Sequence, residues 1–179
     1  MKNILTDFLH LISLESTSSF IVIGVDPGSK KLGYSVLLFQ KGIFSLIKIG
    51  SIRLSGTLGE KLAFFYSFFS SLYDSLLLEF SLSIFFSTEG QFSHLNIRSS
   101  FVLVSFTAVL LLLSQLKNAS FFEFSPSEAR SRVFGSSKLS KEQVAVFFQD
   151  FFFVTFSSLD ESDSLAIAFA GALKILGYG

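Results

Sequence analysis

The chain has 179 residues, with 14 Lys+Arg balancing 14 Asp+Glu, 25 phenylalanines and no cysteine. That length suits one domain with a substantial core. The lack of cysteine excludes a disulfide frame and thiolate metal sites, and is compatible with a reducing cytoplasm. Nucleic-acid binders often carry a basic excess, so the zero net charge leaves such a face to local clustering.

Residues 1–19 read as an N-terminal extension ahead of a single domain at 20–179. Asp7, His10 and Glu15 interrupt its apolar residues, which disfavours a secretory signal and suits a short amphipathic helix. Phe20 to Val25 is an apolar, β-branched run, the pattern of a strand buried on both faces. Pro27-Gly28 breaks that strand, and Leu32 to Phe39 resumes the pattern, so a hairpin is expected with Lys30 and Lys31 near its tip. Ile43 to Leu54 gives a third strand, with a bulge expected at Gly50-Ser51.

After a loop at Ser55 to Gly59, the apolar spacing of Leu62, Phe65, Phe69, Leu72 and Leu76 predicts a helix over Glu60 to Phe80. Ser81 to Thr88 is a short strand ending in Glu89-Gly90. Ser93 to Ser100 is polar enough for a loop or helix start. The thirteen residues Phe101 to Leu113 follow, with only Ser105 and Thr107 polar. They fall short of the roughly 18–20 apolar residues a membrane span needs, so a helix buried in a core is expected, running to about Lys117. Phe121 to Phe124 is a strand. Pro126-Ser127-Glu128 opens a helix, with Ser125 as N-cap and Glu128 placed to close a capping box. A further helix runs from Ser140-Lys141 to about Phe151, and an Ala- and Leu-rich one follows Ser157 to Asp163 and stops at Gly177. Three antiparallel strands followed by strands alternating with helices give an α/β mixed sheet, antiparallel in its first three strands and then parallel, flanked by helices.

Two apolar strands end in an acid, at Asp26 and at Glu89. Carboxylates at the carboxyl ends of neighbouring strands converge on one sheet edge, where open α/β sheets place their sites. Asp160 and Asp163 are three apart, on one face of a helix. Each acid has a plainer explanation: Asp26 can cap the Pro-Gly turn, and the helical pair suits the helix dipole. Together they suggest more. Crowded carboxylates raise one another's pKa and need cations to stay ionised. Mg²⁺ accepts a few carboxylates plus water and phosphate, and two such ions roughly 3.5–4 Å apart can drive in-line hydrolysis of a phosphodiester.

Ile23-Gly24-Val25-Asp26-Pro27-Gly28-Ser29 with Gly33-Tyr34, then Gly50-Ser51-Ile52-Arg53, Thr88-Glu89, and Asp160 through Ala168 resemble the RuvC Holliday-junction resolvases, in order from about Ile21 to Leu173. The resemblance implies a ribonuclease-H-like fold and a homodimer that nicks two strands of a four-way DNA junction symmetrically. It implies work in the cytoplasm near the nucleoid, off the membrane, with a branch-migration helicase complex as a further partner. Asp26, Glu89, Asp160 and Asp163 fall on the family's four metal-binding acids, holding two Mg²⁺ for which Mn²⁺ can substitute. Arg130 and Lys141 fall on basic positions near the scissile phosphate, making Lys141 a catalytic candidate, and Lys138 joins them as a DNA contact. Phe92 falls where the family carries an aromatic associated with junction bases. A cation can neutralise developing charge and an aromatic can stack on an unpaired base; yet Phe92 is one of many phenylalanines, and Arg130 also suits a solvated helix face. Gly90 departs from the family, which has Gln there. His94 is left out, since two-metal hydrolysis does not need it.

Three other functions compete. One is a metal-dependent nuclease of the same fold acting on another substrate, such as RNA in a hybrid. Another is an actin- or sugar-kinase-type ATPase, which needs two such lobes where this chain has one Asp-x-Gly hairpin. The third is an inactive binding module, disfavoured by the presence of all four acids. The helix near Phe101 to Leu113 is the expected dimer face.

Overall fold

The computed structural model describes residues 18–90 and 97–178. The N-terminal extension up to residue 17, Phe92 and His94 lie outside the described residues. Five strands form one sheet in the order β3-β2-β1-β4-β5: β1 Phe20–Asp26, β2 Lys31–Gln40, β3 Ile43–Arg53, β4 Ser83–Glu89 and β5 Phe121–Phe124. The first three pair antiparallel, and β1 with β4 and β4 with β5 pair parallel, as the sequence predicts. The helices are α1 Leu58–Phe80, α2 Ile97–Leu116, α3 Pro126–Phe134, α4 Lys141–Phe152 and α5 Leu159–Ile175.

β1 is the centre of the sheet and is buried on both sides. Its side chains alternate between faces. Ile21, Ile23 and Val25 pack with Phe65, Phe69 and Leu72 of α1 and Phe106, Leu110 and Leu113 of α2. Phe20 and Val22 pack with Leu165, Ala168 and Phe169 of α5 and with Val144 and Phe148 of α4. Each such side chain, fully buried, contributes roughly 1.5–3 kcal/mol.

Local chemistry sets the helix starts. Thr57 and Glu60 form a capping box, so α1 begins at Leu58, ahead of the expected Glu60. Ser140 and Gln143 form another at α4. At α3 only half of the expected box is made: Ser125 accepts the Glu128 N–H at 3.2 Å, while the Glu128 carboxylate lies 3.7 Å from Arg132 one turn on.

Two further expectations are corrected. The irregularity in β3 falls at Ile47, the extra residue between the pairs Val36↔Lys48 and Leu37↔Leu46, and not at Gly50-Ser51. Gly50 pairs regularly with Tyr34, and a Cβ there would stand 3.0–3.2 Å from the Tyr34 ring; its smallness makes room for an aromatic, not for a bulge. The helix over Phe101 to Leu113 is buried on one side only. Phe106, Leu110 and Leu113 are fully covered, whereas Phe101, Val104, Leu111, Leu112 and Leu116 are exposed. A helix in the outermost layer has only one face to offer the core. Among the described residues, no helix is long and apolar enough to cross a membrane.

Candidate active site

The last helix reaches the site because two glycines let it. A Cβ on Gly24 of β1 would lie 2.2 Å from the Ser164 carbonyl oxygen, and one on Gly33 of β2 would lie 2.0 Å from that of Asp160. No side chain fits at either place, so the first turns of α5 rest directly on the sheet backbone. The Ser87 hydroxyl, buried in β4, donates to the Ile167 carbonyl at 2.8 Å and ties the middle of α5 to the same surface.

Strand alternation then aims the two strand-end acids. Asp26 is two residues past Gly24, and Glu89 two past Ser87, so both side chains lie on the α5 face. The parallel register runs to Val25↔Thr88, and the Thr88 hydroxyl donates to the Val25 carbonyl at 3.1 Å, which brings Asp26 and Glu89 to the same level of the sheet. α5 supplies Asp160 and the buried Asp163 from its first turns.

The charges of the other three acids all act on Asp26. Burial pushes the Asp26 carboxyl up to about 8, with Glu89, Asp163 and Asp160 adding to the rise and Lys141 opposing it. Glu89 is raised as well, by burial and then by Asp163, against Lys141 and Arg130. Cations enter from three elements. Lys141, the first residue of α4, donates a short hydrogen bond to Asp163 Oδ2. Burial disfavours its charge, but the bond to Asp163 and the nearby Asp163, Asp26 and Glu89 charges outweigh that and hold its pKa above the usual lysine range. Arg130 Nη2 of α3 lies 3.9 Å from Asp163 Oδ1, and Lys31 Nζ at the start of β2 lies 3.6 Å from Asp160 Oδ2.

Lys138 stands apart. Its side chain is exposed in the loop between α3 and α4, where its backbone N–H donates to the Ser136 hydroxyl at 3.3 Å. Gly90 continues the β4–β5 ladder, its N–H donating to the Phe124 carbonyl at 2.8 Å. Three features escaped the sequence reading. Lys31 looked like a turn residue. Gly24 and Gly33 stand in the motif that carries the resemblance, but their closeness to the α5 backbone shows only in the fold. Glu161, between the two helical acids, turns inward and accepts the Ser157 N–H at 2.7 Å, a cap on the helix start and not a further site acid.

The donor set suits a divalent cation. It is all carboxylate oxygen, the hard ligand that Mg²⁺ and Mn²⁺ prefer, and two of its members are held at raised pKa by burial and then by the neighbouring acids. Among the described residues, no three acidic, histidine or cysteine groups are closed on one ion position. Lys141 and Lys31 hold Asp163 and Asp160 instead.

The model of the family described as "Crossover junction endodeoxyribonuclease RuvC" matches residues 22–171. The chain belongs to the RuvC family. A crossover junction endodeoxyribonuclease RuvC of Anaplasma phagocytophilum (strain HZ) is 34% identical over 151 residues, 83% of this chain and 85% of its own length. The solved structure of Thermus thermophilus RuvC covers 88% of this chain and 97% of its own at a TM-score of 0.72 and 18% identity. The same protein in complex with a Holliday junction substrate matches equally well. Membership makes the chain a nuclease of this family, and the structural likeness places its mixed sheet in the ribonuclease-H-like fold.

Proposed function

We propose that this chain resolves four-way DNA junctions by metal-assisted phosphodiester hydrolysis, with Asp26, Glu89, Asp160 and Asp163 holding two Mg²⁺ ions that Mn²⁺ can replace. The observation that carries this reading is the meeting of four acids from β1, β4 and α5 on one edge of the sheet, in a chain of this family. Bound ions would supply an activated water and charge neutralisation at the leaving oxygen. The chain's own groups do the rest. Asp26 and Glu89, fixed at the ends of paired strands, set the floor of the site. Asp160 and Asp163 close it from α5. Lys141 and Arg130, held over the acids by Asp163, are placed to meet the phosphate once Asp163 turns to an ion, and there stabilise its developing charge. Lys138, from its exposed loop, adds a backbone contact, and Phe92 stacks on a junction base.

Two coordinated cuts need two sites in fixed geometry, which a twofold dimer provides. The exposed apolar stripe of Phe101, Val104, Leu111, Leu112 and Leu116 along α2 is the face we assign to that contact. A branch-migration helicase partner and a place at the nucleoid belong to this reading on family grounds.

The test is cleavage of a synthetic four-way junction, a matched duplex and an RNA–DNA hybrid in Mg²⁺, with the products mapped. Symmetric nicks confined to the junction are expected. Preference for the hybrid would favour the related nuclease reading, and no preference at all would remove junction resolution.

A further inference from the structure

The acids lie between two cationic flanks, and only one of them has a role so far. Arg130 and Lys141 approach from α3 and α4 on the Asp163 side. On the Asp160 side stands Lys31, 3.6 Å from Asp160, with both side chains about a third exposed (34% and 37%). Lys31 pairs with Arg53 of β3 in the antiparallel register, and directly opposed residues project to the same face with Cβ atoms about 4.5–5.5 Å apart. Arg53 is exposed. Its neighbour Leu54 donates its N–H to the Lys30 carbonyl at 2.8 Å, and Lys61 of α1 donates to the Ser29 carbonyl at 2.9 Å. The β1–β2 turn that leads into Lys31 is therefore held on two sides.

We propose that Lys31 and Arg53 form a second phosphate-contacting wall, and that Lys31 is handed from Asp160 to the DNA backbone when Asp160 takes a metal ion. The inference rests on the reading of Asp160 as a metal ligand. A partly exposed ion pair is weak in water, so a divalent ion displaces the ammonium from the carboxylate. The freed cation then stands at the mouth of a site whose substrate is a polyanion. In a chain with no net charge, two opposed pairs of cations from β2, β3, α3 and α4 are what grips the strand on either side of the cut. The exchange also keeps the metal-free acids partly neutralised while they wait for ions.

The experiment uses the full chain and its Lys31→Met, Arg53→Gln and Lys31→Arg variants. Junction affinity is measured by fluorescence anisotropy in Ca²⁺ across a range of salt, and Mn²⁺ binding without DNA by calorimetry. Lys31→Met and Arg53→Gln are each expected to weaken binding about 3–10-fold near 0.1 M salt and to lower the salt slope by about one per protomer, on junction and duplex alike, as loss of a phosphate contact does. Lys31→Met is also expected to bind Mn²⁺ a few-fold more tightly, and Lys31→Arg to keep the parent slope. Unchanged slopes in Lys31→Met and Arg53→Gln, in a protein that still cuts junctions, overturn this wall and leave the proposed function standing. A parent chain that binds no Mn²⁺ and cuts no junction overturns both.

Discussion

The two faces of the sheet are built from the same strands by opposite rules. On one, Ile21, Ile23 and Val25 meet the aromatic rings of α1 and the covered side of α2, and among the described residues the buried charged groups, Glu161 and Asp163, lie elsewhere, on α5. On the other, Gly24, Gly33 and Ser87 thin the surface until α5 touches backbone, and the acids collect where the helix begins. The first face is bulky and apolar, so it stabilises. The second gives up side-chain volume for close approach, and the positions so gained hold groups that repel one another. Both sides of β1 stabilise, the second through its own core around Phe20, Val22, Phe148 and Phe169, but the chemistry is confined to the α5 side, where that helix begins.

The sharpest break in that division is Asp26→Asn, with Glu89→Gln beside it. Each is expected to lower single-turnover junction cleavage by about 1000-fold or more, the scale of several kcal/mol lost from charge stabilisation, while junction binding stays largely intact. A folded variant that loses binding and cleavage together would contradict the metal-holding role. The matching break on the other face is Phe69→Ala. Phe69 is fully buried, so about 3–5 kcal/mol of stability should go, read by urea unfolding, with cleavage per folded molecule unchanged. Lys141→Ala sits between the two. We expect cleavage at saturating protein to slow about 10–100-fold, with a smaller loss of binding; an unchanged rate would remove Lys141 from the chemistry.

The smallest effect is on pH. The folded Asp26 carboxyl titrates near 8, against an ordinary value of 3.8, so the native state holds its proton more tightly than the unfolded chain does. Without metal, stability is then greatest at low pH within this window and declines as pH rises from about 4 through 8. Melting temperatures in EDTA should fall from pH 6 to pH 8.5, and Asp26→Asn should flatten that fall. A parent chain whose metal-free melting temperature rises over this range would contradict the burial of the acid.

Much of this was legible beforehand, for identifiable reasons. Pro27-Gly28 separates two apolar runs, so the hairpin shows in the sequence, and a carboxylate closing a buried strand is conspicuous at Asp26 and Glu89. What could not be read depended on neighbours brought in by folding. Gly50 signals a break in any strand, but Tyr34 lies opposite it, and the irregularity falls at Ile47. The string Asp160-Glu161-Ser162-Asp163 does not say which acid turns inward to cap the helix. The apolar run of α2 does not say which half meets α1. Lys31 gains its meaning only from a register that sets it between Asp160 and Arg53.

The most direct measurement is anomalous diffraction at the manganese edge from crystals of this chain soaked in Mn²⁺. The account predicts manganese peaks bounded by the carboxylates of Asp26, Glu89, Asp160 and Asp163, with the Lys31 and Lys141 ammonium groups moved off Asp160 and Asp163. Peaks at other residues only, with both lysines still seated on their aspartates, would contradict it.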